Sequence, residues 1–313
     1  MIKTVLGLGT ATMDVVLQCD SLPTADEFAL IGSEQLLSGG SCANMLVTLA
    51  RLGLNARQIA KIGDDRLGRA FRQDLIQDGV DDSLLITVPD GQTMHTYIFA
   101  AANGEHTILA NMGDCIMNLR AEELTPEMLE GVDLFYTDMF PSQPAIALAR
   151  VCRESSIPVI FCLQCPPEFM NKIGVSNEEI QEMLSLADLF IAGRSSYYGL
   201  TSIMDYEEAM TTLYQKYPSE LGMICTAGDD GAVWLDRAGL TYTKPYDIVP
   251  VDTTGAGDSF LGGLIYSYFA GGQTKQKAMD FASATAAIKC TQLGPRIRAD
   301  ANMIHDFMTG SSS

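Results

Sequence analysis

The sequence predicts an α/β fold, a mostly parallel sheet covered by helices on both faces, with a small β-sheet lid. Three observations carry this. From about residue 120 onward, apolar strand runs alternate with amphipathic helix runs, and those strands are near-continuously apolar, as strands buried on both faces must be. A second strand-rich patch, about residues 12–37 and 92–111, lies apart from that alternation and is expected to form a flap over a ligand. With 313 residues, 47% of them hydrophobic, and no repeat or low-complexity linker, the chain is expected to be a single domain, 1–313, with the lid as its only excursion.

In order, Ile2–Gly9 reads as a buried strand. Gly7 and Gly9 suggest a dinucleotide loop, but the third glycine of that fingerprint is replaced by Thr12, and Asp14–Cys19 alternates like a strand instead of opening a helix. Asp14 is expected as a polar residue at the end of the first strand, where α/β sheets place ligands, with capping or a turn as the bland alternative. After a short excursion over Leu22–Leu37, Gly39 and Gly40 precede the helix Met45–Leu52. The glycines would let a ligand touch the backbone, and Asn44 offers a donor and an acceptor to hydroxyls; capping by Ser38 or Ser41 accounts for the serines but not the doubled glycine. Gln58–Ile62 is a strand, and Asp64 or Asp65 is expected to cap the helix Arg69–Gln77. Thr93–Ala100 and His106–Leu109 pair through the hairpin turn Ala102–Glu105, and His95 and His106 lie on this flap.

The alternating part follows: helix Ala121–Leu129, strand Leu134–Thr137, helix Ala145–Arg150, strand Pro158–Phe161, helix Glu178–Leu186, strand Leu189–Ala192, helix Glu207–Tyr217 and strand Met223–Cys225. A glycine-bearing turn, Ala227–Gly231, leads to the strand pair Ala232–Leu235 and Leu240–Thr243. Then come a strand-like run Tyr246–Val251, helices Phe260–Ala270 and Lys275–Cys290, a terminal helix near Asn302–Met308 and a frayed tail Ser311–Ser313.

Lys+Arg 20 against Asp+Glu 39 leaves a net charge of −19, so a nucleic-acid backbone or an anionic membrane surface is disfavoured as partner. An anionic substrate then needs local amides, cationic side chains or Mg²⁺. No stretch has the pattern of a secretory signal or the length of a membrane span, and the eight dispersed cysteines read as reduced thiols, which together give a cytoplasmic expectation. Cys162-x-x-Cys165 follows a strand, but no second pair accompanies it and histidine is scarce, so core packing outweighs a redox or zinc reading. The chain lacks a Walker loop, a G-x-S-x-G elbow and an H-E-x-x-H helix.

The stretch that carries chemistry is Asp252-Thr253-Thr254-Gly255-Ala256-Gly257-Asp258. Short residues feed an apolar helix whose first amides have no intrahelical partner and can converge on an anion. Asp258 beside such a cluster would repel a phosphate unless it has a proton to collect, so the arrangement reads as a base next to a phosphoryl site. A turn with a capping aspartate is the bland alternative, and it does not explain the glycine motifs elsewhere.

Gly39-Gly40-Ser41-Cys42-Ala43-Asn44, Ile62–Gly68, Thr226–Ala232 and Asp252–Asp258 together resemble the ordered motifs of ribokinase-like (PfkB-type) carbohydrate kinases, over nearly the whole chain. The resemblance implies a Rossmann-like core with a β lid, and an ATP- and Mg²⁺-dependent kinase acting on a hydroxyl of a sugar or nucleoside. Position by position it implies Asp258 as general base, the amides of Gly255, Ala256 and Gly257 as anion hole, and Asp252 with Thr254 as a monovalent-cation neighbourhood. Asp14, Gly39, Gly40, Asn44 and Asp138 would contact the substrate, and Thr226, Gly228 and Gly231 would border the nucleotide. A homodimer through the lid is a further family expectation.

Two departures stand out. Where the family has Asn-x-x-Glu to order Mg²⁺, this chain has Gly193-Arg194-Ser195-Ser196; Arg194 could meet phosphate oxygens directly or be a solvated loop charge. Arg298 falls in a segment that is usually small and polar, and is expected to stand in for the K⁺ ion, which predicts activity insensitive to K⁺. Besides a sugar kinase, two readings stay open: a nucleoside kinase, with Tyr97, Phe99 and Met112 stacking on a base, and a lapsed kinase that binds sugar without turnover.

Overall fold

The computed structural model describes residues 1–101 and 105–310. The hairpin turn expected at Ala102–Glu105 falls largely outside the described residues, as do the tail Ser311–Ser313 and the side chain of His106.

The N-terminal part runs β1 (Thr4–Leu8), β2 (Thr12–Cys19), β3 (Ile31–Gly39), α1 (Ser41–Arg51), β4 (Asn55–Gly63), α2 (Arg66–Gln77), β5 (Leu85–Val88), β6 (His95–Ala101) and β7 (His106–Asn111). The middle continues with β8 (Leu134–Thr137), α3 (Ser142–Glu154), β9 (Val159–Leu163), α4 (Pro167–Lys172), α5 (Asn177–Leu186), β10 (Leu189–Gly193), α6 (Arg194–Thr201) and α7 (Tyr206–Lys216). Strands β11 (Gly222–Thr226), β12 (Ala232–Asp236) and β13 (Gly239–Thr243) precede α8 (Ala256–Ile265), α9 (Lys275–Cys290) and α10 (Ala301–Thr309).

Nine strands form one sheet in the order β13-β12-β11-β10-β9-β8-β1-β4-β5. All its pairings are parallel except those of β12 and β13, which add an antiparallel edge. Its central strands are apolar on both faces: Val5, Leu6, Leu134, Phe135, Ile160, Phe161 and Phe190 are all buried. Each such side chain contributes about 1.5–3 kcal/mol through removal from water, which selects the helix-covered arrangement over an open sheet. The parallel strands end at Leu8, Thr137, Leu163, Gly193 and Thr226, so the residues just after them share one rim. That rim is where open α/β sheets assemble their sites.

A separate four-stranded sheet, ordered β3-β2-β6-β7, realises the predicted flap. Asp14 therefore sits in the flap strand β2, opposite Leu37 and Thr96, and not at the end of β1. The break at Gly9–Ala11, between the end of β1 at Leu8 and the start of β2 at Thr12, passes the chain from the main sheet into the flap.

Other expectations are corrected. Residues 121–129 form two 3₁₀ turns, Ala121–Glu123 and Pro126–Leu129, because Pro126 cannot continue a helix from the preceding turn. Tyr246–Val251 is irregular; Pro245 and Pro250 flank or enter the run without a donor for a ladder. Helix α1 begins at Ser41, with Gly40 as an N-cap that offers no side chain, so neither serine caps it; Ser38 Oγ instead donates to Asp74. Asp65 does cap α2, accepting from Gly68 N at 2.6 Å, and α2 starts three residues earlier than expected. The helix expected over Phe260–Ala270 is α8, begun at Ala256, followed by a π-helical turn over Tyr266–Ala270. Helices α4 and α6 were not anticipated.

Candidate active site

The site forms where α8 meets α1 above the sheet rim. Gly255, with φ +76, is the left-handed residue that turns the chain into α8, and a Cβ there would fall 2.0 Å from Pro295 O. Only glycine fits. Among the described residues the amides of Gly255 and Gly257 have no hydrogen-bond partner, whereas Ala256 N turns back to Thr253 O at 3.2 Å. Two of the three amides expected in the anion hole are thus free, and the third is held by a long bond.

Asp258 lies in the first turn of α8 and is 6% exposed. Its Oδ2 accepts from Asn44 Nδ2 at 2.9 Å and its Oδ1 from Gln164 Nε2 at 3.4 Å. Burial raises its pKa to about 6, against the lowering effect of the bonds from Asn44, Ser41 and Gln164 and of the Lys289 charge. A carboxylate so tuned sits near the operating pH of a general base. Asn44 Oδ1 is buried and has no partner among the described residues, which leaves one acceptor beside the carboxylate of Asp258.

Around this pair, Gly40 takes φ +94 at the start of α1, where a Cβ would lie 2.5 Å from Thr10 O. Gly39 leaves room for the Asp14 carboxylate, whose Oδ1 accepts from Thr96 Oγ1 at 2.6 Å. Asp14 is half-buried, and burial raises its pKa, with the Thr96 bond and the Arg296 charge acting the other way. Asp138, expected as a substrate contact, is fully enclosed: it accepts from Thr10 N, Thr10 Oγ1 at 2.6 Å and Cys42 N at 3.2 Å. It clamps the end of β1 to the start of α1. Burial raises its pKa to about 6 despite the Thr10 bonds, and the Asp258 charge adds to the rise.

On the other side of α8 lies a cavity of about 580 Å³. Thr226, Gly228 and Gly231 line it together with Ala256 and Gly257, so the three residues expected at the nucleotide share one space with the anion loop. Arg194 does not line it. Its guanidinium is bonded to Ala227 O and Asp230 and lies over the Tyr206 ring, bracing the loop that does. Ser196 is buried with its hydroxyl on Leu163 O, so the β10–α6 turn presents no carboxylate. Among the described residues no cluster of three or more metal-ligating side chains occurs.

Asp252 accepts from Thr254 N and Gly294 N, both at 2.9 Å. The cation beside it is not Arg298, which is exposed and, among the described residues, bonded only through its backbone N to Gln292. It is Lys289, wholly buried on α9, whose Nζ donates to Asp252 O at 2.6 Å. Sequence reasoning missed Lys289, Gln164 and Arg296. Gln164 directly follows β9 and stands between the two cysteines that drew attention; Cys162 is buried and Cys165 half-buried, both with pKa raised by burial, so they are inert packing thiols. Arg296 bonds Asp78 at 2.9 Å over the Phe71 ring, and its Nε and Nη2 have no partner among the described residues. His95 is buried and its ring meets Thr93 O at 2.8 Å, a structural role.

The sequence profile described as "pfkB family carbohydrate kinase" matches residues 3–302. An ATP-dependent ribose-1-phosphate kinase from Halopiger xanaduensis is 30% identical over 310 residues, covering 97% of this chain and 98% of that protein. A ribokinase from Bacillus subtilis is 27% identical over 92% of each chain. Among solved structures, Arabidopsis thaliana ribokinase complexed with ribose and ATP superposes with a TM-score of 0.84 at 19% identity, covering 98% of this chain and 99% of that one. The last likeness concerns the fold.

Proposed function

The chain belongs to the pfkB family of carbohydrate kinases, and from that premise we propose that it transfers the terminal phosphoryl group of ATP to a hydroxyl of a small furanose sugar, with Asp258 as general base. One observation carries the assignment. Asp258 is buried and bonded to Asn44, which follows Gly39 and Gly40 closely in sequence, while Ala256 and Gly257 just before it line the cavity with Thr226, Gly228 and Gly231. In this reading the sugar lies against Asp14, the two glycines and Asn44, while the nucleotide fills the cavity. Asp258 takes the proton of the attacking hydroxyl; the new O–P bond forms as the bond from the terminal phosphorus to its bridging oxygen breaks, and ADP leaves. The amides of Gly255 and Gly257 steady the transferring group, since phosphoryl transfer depends chiefly on positioning and charge.

Mg²⁺ would neutralise phosphate charge when bound. The absence of an acidic cluster among the described residues fits an ion that arrives on the nucleotide with its waters, which is how Mg²⁺ is commonly held at phosphates. Asp138 serves this proposal as the clamp under the pocket, and Arg194 as the brace of the nucleotide loop. The small sheet leaves Ile31, Ile108 and Leu109 exposed, which supports a homodimer through the lid, tested by light scattering. No described helix is long and apolar enough to cross a membrane, and all eight cysteines are unpaired, which supports the cytoplasm as its place.

The experiment is a panel of ribose, ribose 1-phosphate, fructose and nucleosides with ADP release as readout. Turnover on a sugar or its 1-phosphate is expected. Turnover confined to nucleosides would move the acceptor to that class, and calorimetric sugar binding without ADP would indicate a lapsed kinase.

A further inference from the structure

Among the described residues Lys289 is the one lysine with no exposed surface; it contacts Asp252, and its charge also acts on Asp258. Its Nζ is 2.6 Å from Asp252 O and 4.0 Å from Asp252 Oδ1. The adjoining Cys290 O accepts from Val251 N at 2.7 Å and from Asp252 N at 3.1 Å. The C-terminal turn of α9 therefore fixes the entry to the loop at three points. Asp252 passes that constraint on through Thr254 N and Gly294 N, and Gly255 rests on Pro295 O one residue beyond Gly294.

An ammonium taken wholly out of water is costly and is normally replaced by an apolar side chain unless its charge is used. Packing alone does not call for one here. The loop it holds has Asp252 and Asp258 at its two ends and, on the reading above, must receive a polyanion in a chain of net charge −19. A fixed positive charge under the loop offsets that field, and a carbonyl bond keeps it in register with the amides.

We propose that Lys289 is the built-in cation of the phosphoryl site: a positioning residue that sets the Asp252–Gly257 loop so that its amides meet the transferring group. The inference rests on the kinase reading. It replaces the expectation that Arg298 supplies the charge, and it makes an added monovalent cation unnecessary in the native protein. Truncating the side chain to alanine would leave a space lined by the Asp252 carbonyl and carboxylate, a fit for K⁺ or methylammonium; the apolar methionine would plug the same space.

The test compares the native protein with Lys289→Ala and Lys289→Met in choline, K⁺ and methylammonium chloride, with circular dichroism confirming the fold. Expected are a native rate independent of the cation, a kcat at least 30-fold lower in both variants with the sugar KM within threefold, and recovery of at least tenfold by K⁺ or methylammonium in Lys289→Ala alone. Affinity for a non-hydrolysable ATP analogue, measured by calorimetry, should follow the same cation pattern. A folded Lys289→Ala within threefold of native kcat, or one that no cation restores, overturns the proposal. So does a native rate that needs K⁺. If the native protein turns over no acceptor, the kinase reading fails separately, and the calorimetric cation pattern still decides on Lys289: restored nucleotide affinity in the alanine variant supports the role, an indifferent one refutes it.

Discussion

Replacing Asp258 by asparagine should abolish turnover and make the protein more stable, a combination that few substitutions can give. The raised pKa means the folded state holds its proton up to about pH 6, whereas the unfolded carboxyl releases it near 3.8. Between those values the native state binds more protons, so this group's contribution to stability is greatest at low pH and is lost as pH rises through the window. At neutral pH the rise from 3.8 to about 6, at about 1.36 kcal/mol per tenfold change in proton affinity, corresponds to about 3 kcal/mol of destabilisation; the neighbouring Asp138 titrates in the same range and shares the cost, which leaves about 1–3 kcal/mol at Asp258. A neutral asparagine in its place would remove that penalty. The new side chain could still accept from Asn44 Nδ2, and its amide could serve Asn44 Oδ1, which now has no partner. The variant should melt roughly 2–6 °C higher by scanning calorimetry at pH 7.5, keep about half of that advantage at pH 5 and lose it only as the pH falls below 3.8. Its kcat should fall by about 10²–10⁴, the usual share of a general base, with sugar affinity by calorimetry little changed. A variant that keeps more than a tenth of native kcat, or that melts lower than the native protein at neutral pH, refutes the reasoning.

For the native enzyme, kcat should decline below about pH 6 as Asp258 takes up a proton, and a rate flat from pH 5 to 8 would remove it as base. Gly40→Ala should cost more than about 2 kcal/mol in urea denaturation and raise the sugar KM, because the left-handed backbone and Thr10 O both oppose a Cβ; a neutral result would mean that α1 can shift freely. Arg194→Ala should raise the KM for ATP several-fold and leave kcat nearly unchanged, since the guanidinium braces the nucleotide loop through Asp230 and Ala227 O. A tenfold loss of kcat would place it on the transferring phosphoryl instead.

What could be read from the sequence follows from how local each signal is. Helix α9 matches its expected bounds, Lys275–Cys290, because Thr274 caps it through Lys277 N and the pattern is uninterrupted. Asp258, Asn44 and Gly40 stood out in the sequence because they lie in short glycine-bearing motifs, and the structure brings Asn44 to 2.9 Å of Asp258 across 214 residues of sequence. Lys289 was not legible: a lysine in a last helical turn ordinarily reads as a solvated charge complementing the dipole, and only the packing of α9 under the loop turns it inward. Gln164 was hidden for a similar reason, its partner lying 94 residues away. The error over Tyr246–Val251 was avoidable, since Pro245 and Pro250 mark a run that cannot take its place in a ladder.

The same burial that weakens the fold at Asp258 makes it a better base. An exposed aspartate near pKa 4 is ionised at neutral pH but has little affinity for a proton; raised to about 6 it remains mostly ionised and binds the proton far more tightly, which is the compromise a general base requires. Burial by itself would raise the value further. The bonds from Asn44 and Gln164 and the charge of Lys289 all favour the ionised form and hold the value in the useful range. They come from α1, the end of β9 and α9, three elements distant in sequence that α8 joins. The pKa of one carboxylate is therefore a property of how those helices pack, and a mutation that loosens α1 or α9 against α8 should move the acid limb of the rate profile even where it touches no ligand.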